Sequence, residues 1–178
     1  VALSTTLPSL PFLTLEDLAA ETREDASPAG DGRAELIDLS AVHTIIYTSG
    51  TSGRPKGALL TFGNHWWSAV GSALNLGLQP GDRWLACLPL FHVGGLAILL
   101  RSVVYGIPVV LHNRFDPDEM NRAIDEEGVT ILSVVASMLH RMLEARGERP
   151  YPRTLRCVLV GGGPVPRDLL EECARHGV

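Results

Sequence analysis

The spacing of apolar positions changes period along the chain. "HTIIYTS" (43–49) is a short β-branched run that delivers a glycine-rich stretch, and "GALLTF" (57–62) is a second such run. "NHWWSAVGSALNL" (64–76) then repeats its apolar positions at helical spacing. From there strand and helix patterns alternate. "RWLACLPL" reads as an apolar strand, "GGLAILLRSVVYG" as a mostly apolar helix closed by glycine, and "IPVVLH" as another strand. "DPDEMNRAIDEEG" has Asp116 as N-cap, Pro117 in the first turn, acids early and Gly128 as its C-terminal stop. "VTILSVV", "ASMLHRMLEARG", "TLRCVLVGG" and "PRDLLEECARHG" complete the series. Four or five strand–helix repeats predict an α/β domain, with a mainly parallel sheet and helices on both faces. The first 40 residues break the rhythm: "DASPAGDGRAE" has the composition of an exposed loop. Residues 1–40 therefore read as a lead-in and 41–178 as the βα-repeating unit.

Composition narrows the classes of function. With 178 residues, 46% of them hydrophobic, the chain can bury a core of its own. A net charge of −5 and the lack of any basic run argue against nucleic-acid binding. No apolar run reaches the roughly 18–20 residues of a membrane span. Cys87, Cys157 and Cys173 are odd in number and scattered, forming neither a disulfide framework nor a metal spacing, and point to a reducing cytoplasm. His65, His112, His140 and His176 have no ligand spacing either, so no protein metal site is expected. Cys87 and Cys157, inside apolar strands, are expected to be buried. Trp66 and Trp67 are expected to serve core or interface packing, because adjacent helical positions cannot both face one ligand. The chain begins at Val1 without methionine and ends just after a helix pattern, and both ends read as cuts.

The chemistry concentrates in "YTSGTSGRPKG" (47–57). Four hydroxyl residues (Thr48, Ser49, Thr51, Ser52), three glycines and Lys56 make a loop rich in donors and poor in bulk, suited to gripping an anion. It is not a Walker loop: Pro55 stands where that pattern needs glycine, Gly57 comes after the lysine in place of a hydroxyl, and a strand pattern comes next in place of a helix. An ordinary Gly/Ser-rich surface loop is the alternative.

These residues resemble the phosphate-binding signature of the acyl-adenylate-forming superfamily: acyl- and aryl-CoA ligases, peptide-synthetase adenylation domains and luciferases. "LPLFHVGGL" (88–96) and "VLVGGGPVP" (158–166) are similar to the family's second and third signatures, in the right order. The text between them, including "FHVGGLAILLRSVVYGIPVVL" and "YPRTLRCVLVGGGPVP", resembles the o-succinylbenzoate–CoA ligases in particular. The resemblance implies activation of a carboxylate by ATP to acyl-AMP and pyrophosphate, then transfer to CoA, with Mg²⁺ held mainly by phosphate oxygens. It implies that Thr48, Ser49, Gly50, Thr51, Ser52 and Gly53 grip phosphates and that Lys56 neutralises the departing pyrophosphate. His92 would line the carboxylate end of the acyl pocket without a proton-transfer role, or else be an inert strand-end histidine. Gly161, Gly162, Gly163 and Pro164 would give a flat floor to the acyl group and adenine, compatibly with a tight strand-to-helix turn. Ser137 is a further pocket candidate at another such junction.

Arg101 stands out on physical grounds. It is the one charge in "GGLAILLRSVVYG", with no acid three or four positions away. A buried cation needs a partner, and the second carboxylate of o-succinylbenzoate would supply one, directly or through water. Otherwise its guanidinium snorkels to solvent or meets a distant acid.

The chain departs from the family pattern in lacking the aromatic-Gly-x-Thr-Glu motif, the ribose-binding Asp, the hinge and the C-terminal domain with its adenylation lysine. The expectation is a piece of an N-terminal domain, inactive alone, whose partners are the missing domain, a small carboxylate, ATP and CoA, with a homo-oligomer possible. Other aryl- or acyl-CoA ligases, a carrier-linked adenylation domain and a non-catalytic nucleotide-binding module stay open.

Overall fold

The strand patterns in the second half of the chain find one another in a single parallel sheet. The computed structural model describes residues 36–49 and 54–178. Among these, β1 (Val42–Thr48) and β2 (Lys56–Thr61) come first, then α1 (Phe62–Leu76), β3 (Trp84–Ala86), α2 (Val93–Tyr105) and β4 (Val109–Leu111). After these come α3 (Pro117–Glu126), β5 (Ile131–Val135), α4 (Ala136–Arg146), β6 (Cys157–Gly161) and α5 (Arg167–Arg175). β4, β3, β5 and β6 lie side by side in that order, every pair parallel.

Side-chain alternation decides what covers each face. Leu85, Leu132 and Val134 pack with Met120 and Ile124 of α3, Leu139, Met142 and Leu143 of α4, and Leu169 and Cys173 of α5. Trp84, Ala86 and Ile131 point the other way, onto Ile98 of α2 and Leu76 of α1. The expected α/β sheet with helices on both faces is thus present.

Local signals set the element ends. Thr61 caps α1 reciprocally: its Oγ1 accepts from Asn64 N at 3.1 Å, and its own N–H donates to Asn64 Oδ1 at 2.9 Å. Asp116 Oδ1 accepts from the N–H groups of Asp118 and Glu119 at 3.1 Å each, with Pro117 opening α3 as read from the sequence. Gly106 ends α2 in the left-handed conformation, φ 67°.

Three expectations need correction. "RWLACLPL" keeps only Trp84–Ala86 as strand, because Pro89 offers no N–H to a ladder and the chain turns away instead. β1 and β2 do not join the parallel sheet but pair antiparallel as a separate hairpin. Trp66 and Trp67 are 43% and 65% exposed, which leaves interface packing of the two roles expected for them and needs no correction. Cys157 is only half-buried, on edge strand β6, while Cys87 is buried as expected.

The N-terminal ends of the strands are tied by a buried ion pair that no local pattern announces. Asp82 Oδ1 accepts from Arg156 Nε at 2.7 Å and Oδ2 from Arg156 Nη2 at 2.5 Å. Thr130 Oγ1 and the Gln79 N–H also donate to this carboxylate, at 2.9 and 2.8 Å. The rest of the guanidinium donates to the carbonyls of Leu76 and Gly77, at the end of α1. One node therefore joins α1 to the starts of β3, β5 and β6. The opposite edge, where the strands end, is left for the second and third sequence motifs.

Candidate functional site

The first motif is built on the hairpin. Its last cross-strand pair is Thr48 with Lys56, and Thr48 Oγ1 donates to the Lys56 carbonyl at 3.4 Å. Residues 49–55 therefore start and finish at one point, with exposed Thr48, Ser49 and Lys56 around its mouth. Gly50, Thr51, Ser52 and Gly53 lie outside the described residues. Lys56 itself opens strand β2, so no helix N-terminus backs the loop, which separates it from a P-loop as the sequence indicated.

The hairpin is fastened to α1 at its other end. A bulge between Val42 and Thr44 accompanies a close approach of the His43 ring to Phe62, 4.4 Å between centroids. Thr44 Oγ1 and His65 Nε2 share a hydrogen bond of 2.9 Å. Burial, and secondarily the neighbouring His43, lowers the pKa of His65 from its ordinary value.

The second motif lies where β3 leaves the sheet. The His92 N–H donates to the Pro89 carbonyl at 3.1 Å, closing a turn. The His92 carbonyl then accepts from the N–H groups of Gly95 and Leu96, both at 3.1 Å, so His92 is the N-cap of α2. Its imidazole makes no capping bond; it is exposed and lies 4.4 Å from the Phe91 ring. Leu90, Phe91 and Leu96 line an open cleft of about 390 Å³ together with Thr44, Ile45, Ile46 and Tyr47 of β1. The first two motifs thus meet across one cleft, and β1 runs on from it to the loop mouth one residue later. Sequence reasoning missed Tyr47, Leu90 and Phe91 as lining residues. The proline inside an apolar run was the available signal that this stretch leaves the sheet.

The third motif occupies the same sheet edge. Val135 pairs with Gly161, which sets the start of α4 beside the glycine run. Gly162 has φ +83°, and a Cβ there would meet Val135 Cγ1 at 3.2 Å, so the turn requires glycine. Gly161 and Gly163 have open space where a Cβ would stand, and Pro164 is exposed. Ser137, also exposed, lines a second cleft of about 300 Å³ with His140, Pro166, Asp168 and Glu172.

Arg101 is not brought to this edge. Eight residues beyond Val93, it sits roughly 12 Å along α2. Its guanidinium lies 5.9 Å from the Trp84 ring, and Nη2 donates to Ser68 Oγ of α1 at 3.1 Å. Its Nε is buried without a partner among the described residues. Among the described residues, no three acidic, cysteine or histidine side chains group as a ligand set for a metal.

Strand β1 and the His92 turn share a cleft at the C-terminal edge of a parallel α/β sheet, and the chain belongs to the AMP-binding enzyme family, whose model matches residues 1–178. A 2-succinylbenzoate–CoA ligase from Geobacillus kaustophilus is 60% identical over 144 residues, covering 81% of this chain and 29% of that protein. The o-succinylbenzoate coenzyme A synthetase of Bacillus subtilis in complex with ATP and magnesium ion is similar in structure, with TM-score 0.75 and 50% identity over 81% of this chain and 30% of that one. The same enzyme in complex with the acyl-adenylate intermediate OSB-AMP gives TM-score 0.74 and 51% identity over 79% and 36%. The chain spans under a third of the length of the Geobacillus relative.

Proposed function

We propose that this chain carries the phosphate-gripping and acid-facing part of an enzyme that activates a carboxylic acid with ATP as acyl-AMP and then passes the acyl group to the CoA thiol, with o-succinylbenzoate as the acid. The observation that carries the reading is the convergence of Thr48, Ser49 and Lys56 on the hairpin mouth, at the end of the strand that lines a cleft with the His92 turn. The names of the relatives, and the ligands held by the similar Bacillus subtilis enzyme, support it.

Adenylation brings a carboxylate oxygen in line with the α-phosphorus, so two anions must approach each other. Positioning and charge stabilisation are the protein's tasks, and no protein nucleophile is required. The hydroxyls and backbone N–H groups of residues 48–53 donate to phosphate oxygens, and the Lys56 ammonium offsets charge growing on pyrophosphate. His92 lines the carboxylate end of the acyl site, and Ser137 with Gly161, Gly162, Gly163 and Pro164 forms its floor and the adenine contact. Mg²⁺ would be held by the nucleotide's own phosphate oxygens, whose charge it would offset.

The deciding experiment is pyrophosphate release by the full-length gene product, given ATP, Mg²⁺ and CoA with o-succinylbenzoate, benzoate or a medium-chain fatty acid in turn. Preference for o-succinylbenzoate is the expected result; preference for another acid retires that substrate while leaving the adenylation chemistry. The lone charge of Arg101 is what suggests a role in holding the second carboxylate, and with its guanidinium on Ser68, well along α2, that contact would run through water. Arg101→Leu is then expected to raise the apparent KM for o-succinylbenzoate and leave that for ATP nearly unchanged, and a parallel loss for both would remove the role. Free cysteines fit a reducing cytoplasm, and light scattering on the same protein tests for a homo-oligomer.

A further inference from the structure

Two adjacent glycines open α2 in very different surroundings. A Cβ on Gly94 would meet only Leu88 Cδ1, at an ordinary 3.7 Å. A Cβ on Gly95 would lie 2.7 Å from the Leu88 carbonyl oxygen and closer still to that of Pro89. Both obstacles are backbone, so no rotamer change relieves them. The Pro89 carbonyl that excludes a side chain at 95 is also the acceptor of the His92 N–H. Gly95 is buried while His92, three residues earlier, is exposed with its ring against Phe91.

We infer that Gly95 is a positioning residue for the acid site: by carrying no side chain it lets the Leu88–His92 turn close directly onto the first turn of α2, which fixes where the His92 imidazole and Phe91 ring project. Gly95 itself touches no substrate. The inference rests on the reading that His92 faces the acid, and it assigns to one glycine a constraint that the neighbouring glycine does not carry.

The test compares Gly95→Ala with Gly94→Ala in the full-length gene product. Displacing the turn by about an ångström is expected to lower kcat/KM for the acid roughly 100-fold, with the apparent KM for ATP within about twofold of wild type. Gly94→Ala is expected to stay within about twofold on both. In a His92→Ala background the Gly95→Ala loss should shrink to a few-fold, since the two residues act through one geometry. A readout independent of activity is the rate at which diethyl pyrocarbonate modifies His92, measured by peptide mass spectrometry. It should change in Gly95→Ala and not in Gly94→Ala. If the wild-type protein activates no acid, the proposed function fails, but this labelling comparison still decides the positioning. Should Gly95→Ala not fold, Pro89→Gly loosens the same turn without adding an atom or removing a cleft-lining side chain, and is expected to give the same acid-selective loss. Equal losses for acid and ATP, full additivity with His92→Ala, or unaltered His92 labelling would each overturn the inference.

Discussion

The parallel sheet and the hairpin use the same kind of strand sequence to opposite ends. Leu85 and Leu132 in the sheet are wholly buried, whereas Tyr47 and Leu59 in the hairpin are 62% and 52% exposed. In the central strands β3 and β5 both faces are covered, so nearly every side chain there is buried and contributes to stability. In the hairpin, the residues that matter for the proposed chemistry are the ones packing leaves out: Thr48, Ser49 and Lys56 stand at its open mouth. Stability and candidate chemistry are assigned to different regions. Substitutions should therefore separate cleanly into those that move melting and those that move turnover.

The largest effect is expected at the node under the sheet. Asp82→Ala removes the charge partner of Arg156, which keeps its carbonyl acceptors but sits largely out of water. The cost should be about 3 kcal/mol, the low end for breaking a buried pair, because part of the guanidinium still reaches solvent. Chemical denaturation of this chain measures it. The Arg156 hydrogen bonds hold the Asp82 carboxyl at about 2, against a burial that raises it, where its ordinary value is 3.8. A carboxyl depressed in the folded state stabilises fully above its unfolded value and loses that contribution as the pH falls. Wild-type stability should therefore drop between about pH 4 and pH 2, and Asp82→Ala should flatten that part of the profile. An unchanged profile would show that the node is not what ties the strand starts together.

Lys56→Ala reverses the pattern. The side chain is exposed, so melting should hardly move, while pyrophosphate formation by the full-length gene product should fall about 100-fold through loss of charge stabilisation. Lys56 is the only lysine among the 178 residues, where arginine does the other cationic work. A guanidinium is planar and bulkier than an ammonium, so Lys56→Arg is expected to restore only part of the rate. Loss of stability matching the loss of rate would erase the distinction between hairpin and sheet.

Legibility in the sequence divides along the same line. Helix and strand identities were readable because periods of 3.6 and 2 survive in local text, and the caps at Asp116 and Gly106 are written beside the elements they end. Strand order was not, since nothing local tells β3 that β4 and β5 will flank it. The Asp82–Arg156 pair spans 74 residues and appears only once the sheet is assembled. At the site, the hydroxyls and lysine were visible as residue types, and the hairpin explains why Thr48 and Lys56 meet. Arg101 was visible as a lone charge, but its position under Trp84, well along α2, depends on how α1 and α2 cross. The Gly94–Gly95 pair looked like a plain helix start. Only the packed turn distinguishes the two.

The smallest expected effect sharpens the comparison at a third place, the outer face of α1. Trp67 is 65% exposed and Leu74 on the same helix 84%, so neither holds the sheet, despite their size. In this chain Trp67→Ser should change stability by less than about 0.5 kcal/mol, because little apolar area returns to water. The same substitution in the full-length gene product gives the contrast its meaning. A change equally small there would mark the face as ordinary surface, and the division between sheet and hairpin would account for the whole unit. A loss several times larger, measured by the same denaturation, would mean that Trp67 is buried against something else in that protein. The face would then belong with the sheet as a structural element, and exposure within residues 37–178 would cease to predict which side chains are dispensable.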